Sequence, residues 1–223
     1  MVVLLALIAI GFWRRRPWAA ASAVLLFAGT ILLAELLKLG LPRPDLSQLE
    51  ERPVFDGINT FPSGHATIAT SLVLALLLVA SARWRPWIAI VGLVWAATAT
   101  WGTLAAGWHR PSDAIGGILL ATACFATGAS WLLPRYWRSA TGTQLANKLL
   151  PIGGLLLALL ALAARVGNWW APSGDNRQLD SAAYISASAL ILVTVAISIL
   201  WFARLLKDQD WSPRTSDEPT ATS

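Results

Sequence analysis

Long apolar runs separated by short polar loops constrain this chain more than any other feature of its sequence. Six runs carry little charge, at 18–39, 64–82, 86–107, 113–133, 149–165 and 183–203. A helix needs roughly twenty apolar residues to cross a bilayer, and it satisfies its own backbone hydrogen bonds where water is absent. The pattern predicts an all-α fold, a polytopic transmembrane bundle of about six to seven helices.

The charge content agrees with a membrane protein and argues against several other classes. Charged residues make up 13% of the chain and the mean hydropathy is +0.60, whereas soluble domains carry about 25% charged residues. A net charge of +5 then reflects basic loops at the membrane surface, and we expect no nucleic-acid partner. The single cysteine, Cys124, lies inside an apolar run. We interpret it as a small buried residue and expect no metal and no cofactor.

The two ends of the chain differ from its apolar middle. Residues 1–17 form a short apolar segment followed by a basic loop, and this segment is too short to cross a bilayer by itself. It is either a partial helix packed on its neighbours or the end of a span that starts further upstream. Residues 208–223 are polar and are predicted to form a disordered cytoplasmic tail.

The basic residues predict an orientation in the membrane. Alternate loops share a side, and one side collects eleven of the seventeen basic residues: Arg14, Arg15, Arg16, Arg83, Arg85, Arg135, Arg138, Lys148, Arg204, Lys207 and Arg214. The positive-inside rule makes this side cytoplasmic. The C-terminus is then inside, and the loop 40–62 lies outside together with both histidines. The expected location is a bacterial plasma membrane.

Both histidines of the chain stand where a polar loop meets an apolar run. Ser63, Gly64 and His65 begin one run, and His109 precedes Asp113 by four residues at the start of another. Free N–H groups at a helix start attract anions, and an imidazole transfers protons near neutral pH. Each residue alone also has a plain structural role: Ser63 as an N-cap, and the histidines as interfacial side chains.

Arg43 is the third element of this pattern. It stands between Pro42 and Pro44, which restrict its backbone, so its guanidinium presents a fixed fork to a phosphate. The alternative is an arginine that reaches lipid headgroups. Tryptophans also gather at span ends, Trp108 among them, as in an interfacial aromatic belt; an aromatic ligand cage is the alternative.

Together these motifs resemble the type 2 phosphatidic acid phosphatases, membrane lipid phosphatases related to vanadium haloperoxidases. That family carries Lys-x6-Arg-Pro, Pro-Ser-Gly-His and Ser-Arg-x5-His-x3-Asp. The second block is complete from Pro62 to His65, the first ends correctly at Arg43-Pro44, and the third ends correctly at His109 and Asp113. The resemblance covers roughly residues 18–133.

The resemblance implies a role for each matched residue. His109 attacks phosphorus and forms a phosphohistidine, and Asp113 fixes its tautomer and stabilises the imidazolium. His65 protonates the leaving oxygen as general acid. The phosphoryl oxygens are held by Arg43, Ser63 and the Gly64 N–H, which replace a metal in neutralising charge.

Two cationic positions of the family pattern are missing. The family lysine falls at Leu36 and the family arginine at Thr103. Lys38 is offset from Leu36 by about 200° on a regular helix, so local unwinding near Gly40 is the expected way to bring it in. Arg110 is the candidate replacement for the arginine. The alternative for both is contact with membrane lipid headgroups only.

The sequence therefore predicts a membrane lipid phosphatase with a PAP2-like catalytic core at 18–140 and two additional helices within 141–207. Its expected partners are a lipid phosphate substrate and the surrounding membrane lipids. One alternative is a lipid phosphotransferase, in which an alcohol replaces water. Another is a catalytically impaired protein that only binds lipid phosphate, because two cations of the pattern are absent.

Overall fold

The computed structural model describes residues 17–41, 59–132 and 176–207, together with Ala9. These residues form helices and turns and contain no β-strand, so the all-α prediction is confirmed. In chain order the helices are α1 (Pro17–Gly40), α2 (Gly64–Val79), α3 (Arg85–Ala105), α4 (Pro111–Leu132) and α5 (Asn176–Leu205).

Four of the five helices are long and apolar enough to cross a membrane. They are α1, α3, the stretch Pro111–Ala129 of α4, and the stretch Ser181–Leu205 of α5. The chain is therefore a membrane protein by the length and composition of its helices. The prediction of six to seven helices includes the segments 1–17 and 149–165. These lie outside the described residues apart from Ala9 and Pro17, as does the tail 208–223.

The predicted span 64–82 needs a correction, because α2 ends at Val79 and has only 16 residues. It is about 24 Å long, shorter than a bilayer-spanning helix. Ala80 adopts an extended backbone (ψ 153°), and the Ser81 carbonyl then accepts from the N–H of Arg85 in the turn to α3. Eleven of the sixteen residues of α2 are buried. It is the central helix of the bundle, so it need not match the lipid thickness.

The other helices surround α2 in an alternating arrangement. The C-termini of α1 and α3 lie at the same end of the bundle as the N-termini of α2 and α4, and we call this the site end. Trp101 of α3 donates to Ser188 of α5 (3.2 Å), and Phe125 and Phe202 pack edge to face (6.1 Å between centroids). Alanine is the commonest residue of the core, and small residues let membrane helices approach closely.

A buried arginine ties α5 to the opposite end of the bundle. Arg85 is 2% exposed, although its position in a basic loop predicted a surface residue. Its Nε donates to the Leu77 carbonyl (3.2 Å) and its Nη1 to the Leu206 carbonyl. Carbonyls at helix C-termini lack partners within the helix and carry partial negative charge. Arg85 therefore satisfies the ends of α2 and α5 at once.

Candidate active site

Ser63 is the N-cap of α2. Its backbone is extended (φ −62°, ψ 118°) and its Oγ accepts from the Ala66 N–H (3.3 Å). Gly64 and His65 then occupy the first two helical positions, where N–H groups have no acceptor within the helix. Ser63 is fully buried. The structure thus describes the capping role, and contact between Ser63 and a phosphate stays a prediction.

The start of α2 is joined directly to the start of α4. The Ser63 N–H donates to the backbone carbonyl of Asp113 (2.9 Å). Gly117 permits this approach, because a Cβ added there would lie 2.6 Å from the Ser63 carbonyl oxygen and 2.9 Å from Thr67 Oγ1. Two motifs about fifty residues apart in the chain therefore share one hydrogen bond.

A turn after α3 delivers His109 to the same place. The Trp108 N–H donates to the Thr103 carbonyl (3.0 Å), and the Gly107 N–H donates to the Leu104 carbonyl (3.0 Å). These two bonds form a Schellman motif, which needs a left-handed residue after the helix. Gly107 supplies it with φ +69°. The chain then turns back over the bundle and carries His109 to the N-terminus of α2.

The structure brings the two imidazoles together. The ring centroids of His65 and His109 are 6.0 Å apart, with the planes at 63°. His65 is exposed and the His109 side chain is 11% exposed. One imidazole is accessible from outside the bundle and the other is held inside it. The two imidazoles therefore lie next to each other at the site end of the bundle.

Asp113 lies behind His109 and is fixed by other groups. It is buried, and its Oδ2 lies 3.7 Å from His109 Nδ1. The same oxygen accepts from Thr60 Oγ1 (2.7 Å) and from the Arg110 N–H (3.1 Å). His109 Nδ1 is buried without a hydrogen-bond partner among the described residues. A shift of about 1 Å closes the gap to Asp113.

Thr60 is a residue that the sequence analysis missed. Its hydroxyl makes a short bond to the carboxylate of the His–Asp pair, across 53 positions of sequence. A hydroxyl just before the Pro-Ser-Gly-His block was the only signal for it. The sequence predicts Trp108 in the interfacial belt, yet its ring centroid lies 5.7 Å from that of His65.

Lys38 reaches the site from α1. A Cβ added at Gly64 would lie 3.3 Å from Lys38 Nζ, so the ammonium lies against the first turn of α2. The expected unwinding near Gly40 is wrong, because α1 is helical through Gly40 and the Leu41 N–H donates to the Leu37 carbonyl (2.9 Å).

The rotation of α1 about its axis explains why Lys38, and not the residue at the family position, faces α2. Leu36, which aligns with the family lysine, is 53% exposed and points away from the core. Lys38 lies on the opposite face of the helix and meets α2. Asn59 fixes this end of α1, because its Nδ2 donates to the carbonyls of Lys38 and Leu41 (2.9 Å each).

The remaining predicted cations differ in what the structure describes. Arg110 is partly buried, and its backbone N–H holds Asp113; a guanidinium contact with phosphate stays a prediction. Arg43 lies outside the described residues. Thr103, at the family arginine position, is 4% exposed and donates to the Thr100 carbonyl (2.8 Å). The family arginine position is therefore occupied by a neutral hydroxyl that bonds to its own helix.

The family model of the PAP2 superfamily matches residues 17–138, which is more than half of the chain. The chain belongs to the PAP2 superfamily. PAP2 proteins are in general phosphatases, so the chain is a membrane-embedded member of a phosphatase family. No curated protein and no solved structure matches it. All the candidate site residues fall inside the PAP2 match, and α5 lies beyond it.

The site of this PAP2 protein combines the groups that phosphoryl transfer needs. The paired imidazoles offer a nucleophile and a proton donor. The start of α2 and the Lys38 ammonium offer positive potential. The buried carboxylate of Asp113 lies beside Nδ1 of His109, so Nε2 is the ring nitrogen that remains available to bond another group.

Proposed function

We propose that this protein is a lipid phosphatase that hydrolyses a lipid phosphate or pyrophosphate at the extracytoplasmic face through a phosphohistidine on His109. The observation that carries the proposal is the 6.0 Å approach of the two imidazoles at the N-terminus of α2. A phosphoryl group between them meets a nucleophile on one side and a proton donor on the other.

The reaction has two steps. In the first, Nε2 of His109 forms a bond to phosphorus while the bond to the leaving oxygen breaks, and His65 gives that oxygen a proton. Asp113 accepts the Nδ1 proton of His109 in a hydrogen bond and stabilises the positive ring. In the second, His65 takes a proton from water, the water oxygen bonds to phosphorus, and the P–N bond breaks to release phosphate.

Cationic groups decide whether this site turns over at a useful rate. Loss of one preorganised donor typically lowers a rate by about 10²–10³. The nearness of Lys38 Nζ to Gly64 supports a role for Lys38 in place of one of the two missing family cations. Arg110 and Arg43 are the candidates for the rest of the charge.

The substrate is a lipid because the site lies at one end of an apolar bundle. A phosphate headgroup then meets polar groups while its tail stays in the hydrocarbon. Candidate substrates are a polyprenyl diphosphate, phosphatidic acid and phosphatidylglycerol phosphate. The bias of basic residues supports the extracytoplasmic side.

The test uses the full chain in detergent with a panel of lipid phosphates, and phosphate release is measured. We expect wild type to turn over, His109→Ala to lose activity, and His65→Ala to fall by about 10²–10⁴. Cys124→Ala, a small change in α4 remote from the site, is the control and keeps wild-type rates.

A phosphoenzyme trapped from labelled lipid identifies the intermediate. We expect acid-labile label in wild type and none in His109→Ala. Equal phosphate release by wild type and His109→Ala contradicts the proposal. Free phosphate that falls when an alcohol is added, with transfer of the label to the alcohol, identifies a phosphotransferase instead. Lipid-phosphate binding without turnover by wild type identifies a binding protein.

A further inference from the structure

A carboxylate lies beside the cation that faces α2. Glu35 precedes Lys38 by one helical turn, and its Oε1 is 2.6 Å from Lys38 Nζ. The same Glu35 oxygen would lie 3.6 Å from a Cβ on Gly64, close to the 3.3 Å of the ammonium. The ion pair therefore lies against the first turn of α2, where an anion is expected to bind.

This position separates the pair from an ordinary surface ion pair. An exposed pair spaced three residues apart on a helix contributes little to stability, and Glu35 is 56% exposed. The Lys38 side chain, however, is only 22% exposed, and α2 covers part of it. A phosphoryl group at Gly64 and the Glu35 carboxylate are both anions within reach of the same ammonium.

We propose that Glu35 sets the phosphate affinity of the site by competing with the phosphoryl group for Lys38. The inference rests on the proposed function and deepens it. When phosphate binds, the ammonium exchanges Glu35 for a phosphoryl oxygen, and when phosphate leaves, the ammonium returns to Glu35. Because Glu35 is more than half exposed, water readily solvates its carboxylate after the exchange.

The consequence is faster release of product. Inorganic phosphate lacks the apolar tail that holds the lipid substrate in the membrane, so its affinity depends mainly on charge and falls most when Glu35 competes for Lys38. Glu35 acts through Lys38 and is a positioning residue. It makes no bond to substrate in this mechanism.

The test measures equilibrium binding of inorganic phosphate to the purified full chain by calorimetry, which needs no turnover. Glu35→Gln keeps the shape of the side chain and removes its charge. We expect it to bind phosphate up to about fivefold more tightly than wild type, because phosphate no longer has to displace Glu35 from an exposed ion pair. Lys38→Ala is expected to bind more weakly.

The double variant Glu35→Gln/Lys38→Ala decides whether Glu35 acts through Lys38. We expect it to bind like Lys38→Ala alone, because no ammonium is left to compete for. Lys207→Gln removes a unit charge at the opposite end of the bundle, next to Leu206, and is the control, with unchanged affinity. In turnover, Glu35→Gln lowers KM and kcat together as product release slows.

Three outcomes overturn the proposal. The first is unchanged or weaker phosphate affinity in Glu35→Gln, and the second is that Glu35→Gln raises phosphate affinity by the same factor when Lys38 is already alanine. The third is that neither wild type nor Glu35→Gln binds phosphate. Failure of the proposed function looks different. A Lys38-dependent gain in affinity without hydrolysis of any lipid keeps the role of Glu35 and removes the phosphatase. Hydrolysis with unchanged affinity removes only the role of Glu35.

Discussion

Replacement of Gly117 by alanine tests whether the close contact between α2 and α4 sets the catalytic geometry. The added Cβ would lie 2.6 Å from the Ser63 carbonyl oxygen, about 0.8 Å short of the 3.4 Å at which ordinary van der Waals contact begins. That oxygen belongs to the backbone and cannot turn away. The two helices must separate, and His65 moves relative to His109.

The expected loss combines stability and rate. Overpacking of this kind costs about 1–3 kcal/mol, and the better helix propensity of alanine offsets up to about 1 kcal/mol of it. Misplacement of reacting groups by about 1 Å lowers a rate by about 10²-fold. We therefore expect Gly117→Ala to fold with slightly reduced thermal stability and to lose about two orders of magnitude in kcat/KM.

Phosphate release from the preferred lipid and thermal unfolding in detergent measure the two effects separately. Gly29→Ala is the matched control, because no atom lies within 4 Å of a Cβ added at Gly29. It is expected to keep its activity. If Gly117→Ala matches Gly29→Ala in both stability and activity, the tight α2–α4 contact does not control the site.

Two further predictions follow from single hydrogen bonds. Thr60→Val removes the 2.7 Å hydrogen bond to the Asp113 carboxylate, and a hydrogen bond to a charged group is worth about 1.5–3 kcal/mol. We expect kcat to fall about tenfold or more with KM nearly unchanged. Thr60→Ser keeps the hydroxyl and is expected to restore kcat. A loss in Thr60→Ser equal to that in Thr60→Val argues against the bond. Arg85→Met leaves the carbonyls of Leu77 and Leu206 without this donor, which costs about 1–3 kcal/mol for each buried carbonyl. We expect a lower unfolding temperature and earlier proteolysis near α5. Unchanged stability would show that the two hydrogen bonds of Arg85 do not hold the ends of α2 and α5.

The sequence determined the fold class and the membrane setting without help from tertiary structure. A bilayer leaves a spanning chain few solutions other than helices with apolar surfaces, so run length and composition predicted α1, α3 and α4 to within a few residues. The same runs placed His65 and His109 at one end of the bundle, because alternate loops of a polytopic chain share a side. The motif blocks then led to the PAP2 family.

Only the tertiary structure decided which side chains meet at the site. Lys38 rather than Leu36 reaches α2 because packing, and not spacing from Arg43, sets the rotation of α1. Thr60 meets Asp113, and the Glu35–Lys38 pair meets Gly64, across different segments of the chain, and no local pattern in the sequence encodes those contacts. The short length of α2 is likewise set by its contacts with the surrounding helices. The length of a helix enclosed by other helices is set by its packing against them, whereas the length of a lipid-facing helix is set by the thickness of the membrane.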